Sequence, residues 1–414
     1  MTTDKGRAAI LTNRRIKHTK SRTRMPTSTT LGKESPRSFS GLYKRARIWP
    51  FTTKMHLWMQ QVFVYSLYWC GAFWWAKRSL RKNGSVVVLT FHRVLRDSAF
   101  ENSTVLRGVV VRENTFRELA GHISKYYEAI KIDETLPGNP SDRLRVAFTF
   151  DDGWTDNYAV AFPIAKRFRI PLTIFVCPGL IDSEEPFWPE RMASLSSKAG
   201  GALAKREIDE MIETLKKYSP EERDEAIKEL LKSNGVEPSE PGSLREKWTL
   251  SWEEILEMDR LDVSFGSHTQ THQILTTLPS NRIQTEIRLS KAALEHVLGA
   301  PCDIFAYPNG NWDPAIRDLV AREGFKLAFT TERGAWTPTC DPLSIPRANV
   351  YEGNVVRANG KFSPAMFEYT SFWKVWLAMK KRKSLNHQPQ STVGKVRTSA
   401  KSSCEEPALP ACQD

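Results

Sequence analysis

Two short stretches carry side chains that could do chemistry together. In "VAFTFDDGWTD", Val146 to Asp156, an apolar strand pattern ends in adjacent carboxylates, Asp151 and Asp152, followed by a glycine. Paired acids at a strand tip repel each other and cannot both be packed away without a compensating charge or a proton. In "SFGSHTQTH", Ser264 to His272, two histidines stand four residues apart directly after another apolar strand. On a helical turn that spacing puts both imidazoles on one face, so His268 and His272 can converge on one cation. Two histidines and one carboxylate, with positions left for water, form the ligand set of a hydrolytic Zn²⁺ site. One aspartate then binds the cation and its neighbour takes a proton from water. Helix-terminal or surface histidines are the ordinary alternative for such a pair.

Chemistry of this kind needs a frame that brings the two stretches to one place. From Ser85 onward strands alternate with helices. The strands are "SVVVLTFH", "RVAFTF", "LTIFVCPG", "VSFGSH", "DIFAYP", "KLAFTT" and "LSIPRANV". Between them run amphipathic stretches such as "TFRELAGHISKYY" and "RIQTEIRLSKAALEHVLG". Near-continuous apolar strands alternating with helices predict a parallel sheet covered by helices, and about seven repeats favour a closed barrel over an open sheet. Both chemical stretches fall at the C-terminal ends of strands, the rim where such barrels gather functional groups. No Gly-rich phosphate loop opens a helix, which counts against a nucleotide site. Residues 182–247 interrupt the alternation with charged helical sequence, in which Ile208, Met211, Ile212 and Leu215 share a face. This insertion is expected to cap or line the barrel mouth.

The net charge of +13 suggests a nucleic-acid binder until it is located along the chain. Residues 1–82 carry a net +16, residues 83–359 a net −8 and residues 360–414 a net +5. The basic character belongs to the ends, and no nucleic-acid-binding signature accompanies it. Leu57 to Ala76 is a run of twenty residues without a charge, rich in Trp and Tyr and flanked by Lys54 and "KRSLRK". That composition predicts membrane contact, by spanning or by lying in the headgroup plane. The expected organisation is a basic disordered tail (1–54), a membrane-associated aromatic helix (55–82), the barrel (83–359), an amphipathic helix (360–383) and a second disordered tail (384–414). Six scattered cysteines without a CxxC pair make a disulfide scaffold a poor reading.

"TFDDG" followed by "SHTQTH" resembles the first two motifs of the polysaccharide deacetylases, the NodB-homology family of carbohydrate esterases. The resemblance runs over roughly Ser85 to Glu352 and implies an α/β fold, a distorted (β/α)₇ barrel. It implies removal of N- or O-acetyl groups from a glycan with a divalent metal, usually zinc. By this resemblance Asp151 is the general base and Asp152, His268 and His272 are the metal ligands. The family's third motif, R-x-P-Y-G, falls on "AYPNG", where Ala306 replaces the arginine and Asn309 the tyrosine. The arginine's task of holding the catalytic aspartate is assigned to Arg347 in "SIPRANV", and the oxyanion donor to the backbone N–H of Asn309. The histidine acid of the last strand is missing, since no histidine lies between His296 and His387. His92, which ends the first strand, is assigned as the acid, as in a resembling subgroup of bacterial exopolysaccharide deacetylases. Trp188, Trp312 and Trp336 are candidate sugar-stacking residues at the rim. A bacterial protein at the inner membrane follows from these expectations. The competing reading is a barrel that has lost catalysis and only binds glycan during export or assembly.

Overall fold

Alternate residues of a strand face opposite sides of a sheet, and the fold follows from that period. In Arg145–Phe150 (β5), Ala147 faces the barrel interior, while Val146, Phe148 and Phe150 join the larger core between barrel and helices. The computed structural model describes residues 50–386, except 103–105, 133–136, 139–140, 184–186, 194, 196–204 and 235–246. The two tails expected to be disordered lie outside these residues, apart from residues 50–54 and 384–386, which extend adjoining helices. From Thr53 the described residues belong to one compact unit.

Seven parallel strands close the barrel. They are Val86–Phe91 (β1), β5, Leu172–Val176 (β6), Ser264–Ser267 (β7), Ile304–Ala306 (β8), Leu327–Arg333 (β9) and Ile345–Asn349 (β10). Each pairs with the next, and β1 closes the ring by pairing with both β5 and β10. Three elements the sequence did not announce are the short strands Arg93–Leu95 (β2), Val110–Arg112 (β3) and Glu128–Ala129 (β4). The first two form a separate parallel pair, and β4 pairs in parallel with the first residues of β5, Arg145 and Val146.

Register places the chemistry. Phe91 pairs with Phe150, so His92 and Asp151 are each the first residue beyond a paired strand end. Val176 pairs with Ser267, which sets His268 at the same rim. Beneath them Phe91 stacks on Phe150 with ring centroids 5.2 Å apart, and Phe116 meets both edge-on. Each buried ring contributes roughly 1.5–3 kcal/mol, so this cluster holds β1 and β5 in register just below the rim.

The insertion folds as helices with a small core of their own, in which Ile208, Ile212 and Leu215 bury the predicted face against Ile227 and Leu231. As the chain returns from it, the Leu250 N–H donates to the Gly153 carbonyl, which ties the insertion to the Asp-Asp-Gly turn.

The aromatic segment is two helices rather than one: Pro50–Trp69 and Ala72–Lys82. Gly71, with φ +78°, breaks them apart in a left-handed conformation that glycine adopts at little cost. Among the described residues no helix is long and apolar enough to cross a membrane. Val64 and Phe73 bury against Ala365 and Met366 of the helix Pro364–Glu368. Lys77 Nζ lies 2.8 Å from both carboxylate oxygens of Glu368, and Tyr127 Oη donates to it over 2.6 Å. Burial opposes ionisation of Glu368, but His122 and Lys77 outweigh it and hold the carboxyl below its ordinary range. The depressed pKa makes this contribution complete above the unfolded carboxylate range, about 4.3, and lost as pH falls through the folded value. Glu368→Gln is expected to cost roughly 2–3 kcal/mol at pH 7. Urea unfolding at pH 7 and at low pH checks this, because the difference between variant and parent should shrink in acid.

Candidate active site

The adjacent aspartates avoid one another because the backbone turns between them. Asp151 continues the inward register of β5. Asp152 has φ +76° and swings away to a different partner. Gly153 completes the turn at φ +72°, where an added Cβ would lie 2.8 Å from Val176 Cγ1. Such left-handed positions cost free energy at non-glycine residues and persist where surrounding contacts hold them.

Asp151 meets Arg347. The guanidinium donates from Nη1 to Oδ1 over 2.8 Å and from Nη2 to Oδ2 over 2.7 Å. It also donates to the Thr330 carbonyl and reaches Thr149 Oγ1. Arg347 is 1% exposed, so the pair sits in the barrel interior with its donors aimed at acceptors. Burial raises the Asp151 pKa, but Arg347 outweighs it and keeps the carboxyl below its ordinary range. The side chain is thereby an oriented, ionised acceptor.

Asp152 meets the histidines. Its Oδ1 lies 3.4 Å from His268 Nε2 and 3.1 Å from His272 Nε2. Its Oδ2 accepts from Trp154 Nε1 over 2.9 Å, and Oδ1 has no hydrogen-bond partner. One ligand atom from each of the three residues falls within 4.8 Å of the other two. His268 Nδ1 lies 2.7 Å from the Ala306 carbonyl, which fixes the proton on Nδ1 and leaves the Nε2 lone pair facing Asp152. A lone pair and an orphaned carboxylate oxygen facing each other call for a cation between them. The electrostatics agree. Burial pushes His268 down, yet the two aspartates raise its pKa overall. Burial pushes Asp152 up, yet the histidines hold it well below its ordinary range. The donor set fits a divalent metal. Nearby Cys177 lies outside this group of ligand atoms, and burial and the same acids push its thiol well above its ordinary pKa. It donates to the His268 carbonyl instead.

The histidines do not sit on a helical turn. Residues 268–274 form an irregular loop after β7, with Thr269 at φ +66° and His272 at φ +56°. Convergence comes from these two kinks rather than from helical periodicity. Glu286, on the helix Ser280–Leu298, holds the loop by accepting from the Thr271 N–H and Thr271 Oγ1 over 2.8 and 2.7 Å. Phe187 packs edge-on against the His272 ring at 5.2 Å, so the insertion walls one side of the site.

His92 lies half-buried at the same rim, where burial lowers its pKa and the charges of Asp152 and Asp151 oppose that shift. Its carbonyl accepts from Asn157 Nδ2 over 2.8 Å. The adjoining Arg93 pairs with Asp156 at 2.8 Å and rests on the Trp154 ring at 4.4 Å. Asn309 occupies the turn Pro308–Gly310 after β8 at φ +56°, and its side chain bonds Asn311 rather than the clustered groups. Trp336 is not at the rim. It is buried and bridges to Val86, at the opposite end of β1. Trp312 stacks on Tyr307, and Trp188 packs in the insertion under Arg223. Trp154, Asp156 and Glu286 were missed. The first two stand inside the opening stretch, beside more conspicuous acids, and nothing in local sequence marks Glu286.

Residues 138–328 match the polysaccharide deacetylase family. YxkH of Bacillus subtilis (strain 168), a polysaccharide deacetylase by name, is 23% identical over 232 residues, which are 56% of this chain and 60% of that protein. Among solved structures, Streptococcus pyogenes deacetylase PplD in complex with acetate is 21% identical with a TM-score of 0.47, covering 69% of this chain and 98% of that one. IcaB from Ammonifex degensii is 20% identical with a TM-score of 0.44, covering 66% and 94%. The barrel closes as the sequence implied, and the span 138–328 within it is similar to the polysaccharide deacetylases of the NodB-homology family.

Proposed function

We propose that this domain is a metal-dependent hydrolase that removes acetyl groups, foremost N-acetyl groups of amino sugars, from a poly- or oligosaccharide or a lipid-linked glycan. The observation that carries the reading is the division of labour between the adjacent aspartates. One is clamped by a buried arginine, and the other is grouped with two histidines around a place for a cation.

Asp152, His268 and His272 would hold the metal, with zinc favoured by ligand type and other divalent ions compatible. When bound there, a divalent cation supplies the Lewis acidity that makes water nucleophilic near neutral pH. Asp151, ionised and held in orientation by Arg347, accepts the proton of the attacking water. The Asn309 N–H is assigned to the oxygen on which negative charge develops, where a preorganised donor has its largest effect. His92 delivers a proton to the departing amine. Burial makes its imidazolium the stronger acid, and the facing aspartates favour its charging. Acetate and a free amino sugar result.

The test is an acetate-release assay on a panel of N-acetylated oligosaccharides, with and without chelator. Release that disappears with chelator and returns with zinc is the expected result. Stoichiometric metal without release from any substrate would support the glycan-binding alternative and overturn this one.

A further inference from the structure

The catalytic reading leaves the aromatic helices unused, and they carry an unusual surface. Trp58, Met59, Val62, Phe63, Trp69, Trp74 and Trp75 are exposed there, and Trp69 is 81% exposed. The other exposed large apolar side chains among the described residues are scattered over separate elements. Exposed apolar side chains gathered on one pair of helices mark an interaction surface. The inner face of the pair is fixed, since Val64 and Phe73 are buried in the contact with the helix Pro364–Glu368 and Tyr65 Oη bonds Ser363 Oγ over 2.8 Å.

Beside this surface lies a cavity of about 490 Å³ whose walls include Trp74, Lys77, Arg78, Arg81, Tyr126 and Arg143. Asp142 and Glu368 also line it, and Glu368 is already matched by Lys77. Arg81 gives one N–H to the Asp142 carbonyl. Arg78 lies over the Trp74 ring at 5.3 Å, and among the described residues neither Arg78 nor Arg143 has an ion pair. The cavity is therefore cationic on balance. Tryptophans beside arginines suit the boundary between headgroups and acyl chains, where indoles and anionic phosphates lie within a few ångströms. Neither helix is long and apolar enough to cross the bilayer, and tryptophans exposed along both suit an arrangement in its plane.

We propose that the helices Pro50–Trp69 and Ala72–Lys82 dock on an anionic phospholipid bilayer, the exposed tryptophans entering the interface and the cavity receiving a lipid phosphate headgroup. Charge complementarity selects this occupant over a second copy of the chain, which would bring the same cations face to face. The cavity adjoins the N-terminal end of β5, as Arg143 and Leu144 in its wall immediately precede that strand, whereas Asp151 and Asp152 follow its C-terminal end. Six residues of strand separate these ends by roughly 20 Å. The catalytic rim thus lies at the end of the barrel remote from the headgroup cavity.

The test uses the full chain with vesicles of phosphatidylcholine alone and with phosphatidylglycerol added, read by co-sedimentation and tryptophan fluorescence. Binding is expected only to the anionic vesicles, with a blue shift and a marked fall at high salt. Arg78→Ala and Arg143→Ala should each weaken it about fivefold, and Trp69→Ser with Trp75→Ser about tenfold or more. Acetate release from a soluble oligosaccharide should be unchanged in all three variants, so loss of membrane binding and failure of the catalytic reading are told apart. Equal binding to both vesicle types, no binding to either, or a dimer in solution that the tryptophan variants dissociate would overturn the proposal.

Discussion

Asp151→Asn is expected to keep its metal and lose turnover, by about 10²–10⁴-fold, the range for removing a general base. Asparagine preserves the shape and can still accept one bond from Arg347, but it has no basic carboxylate for the water proton. The ligand group is untouched, because Asp152 turns away from Asp151 at a left-handed backbone position and is tied to Trp154. His268→Ala should lose both metal and turnover, since it removes one of three ligand side chains and breaks the contact with the Ala306 carbonyl. Metal content measured beside acetate release separates the two variants. If Asp151→Asn lost the metal as well, the assignment of base and ligand between the two aspartates would be wrong.

Arg347→Met should damage both stability and activity. It leaves the Asp151 carboxylate without its counter-charge inside the barrel. Removing one partner of a buried pair costs roughly 3–5 kcal/mol. The Thr330 carbonyl and Thr149 hydroxyl would lose a donor as well. Activity should fall further than stability explains, because Asp151 would be neither oriented nor held ionised. Arg347→Lys keeps the charge without the two-pronged geometry, so it should recover much of the stability and little of the rate. Thermal melts and acetate release on the same preparations check both statements. A fully active Arg347→Met variant would mean that Asp151 has no need of the clamp.

Several elements were legible because their signal is local. The apolar runs that became β1, β5 and β6 are continuous, and Ile208, Ile212 and Leu215 bury the face that their spacing implied. The short strands β2, β3 and β4 were not legible, since two or three residues are too few to show a period. The aromatic segment read as one helix because Gly71 is the single sign of its break, and its left-handed backbone is a tertiary outcome.

What the sequence determined by itself was the kind of chemistry present: an acid pair ending one strand, an imidazole pair after another, and an arginine available late in the chain. Residue type and strand period suffice for that. What only tertiary structure decided was which groups meet. Arg347 reaches Asp151 across 196 residues because barrel closure sets β10 beside β1 and β1 beside β5. Left-handed residues at Asp152, Thr269 and His272 then aim the ligands, at a local conformational cost that side chains do not advertise and that packing around Trp154 and Glu286 offsets.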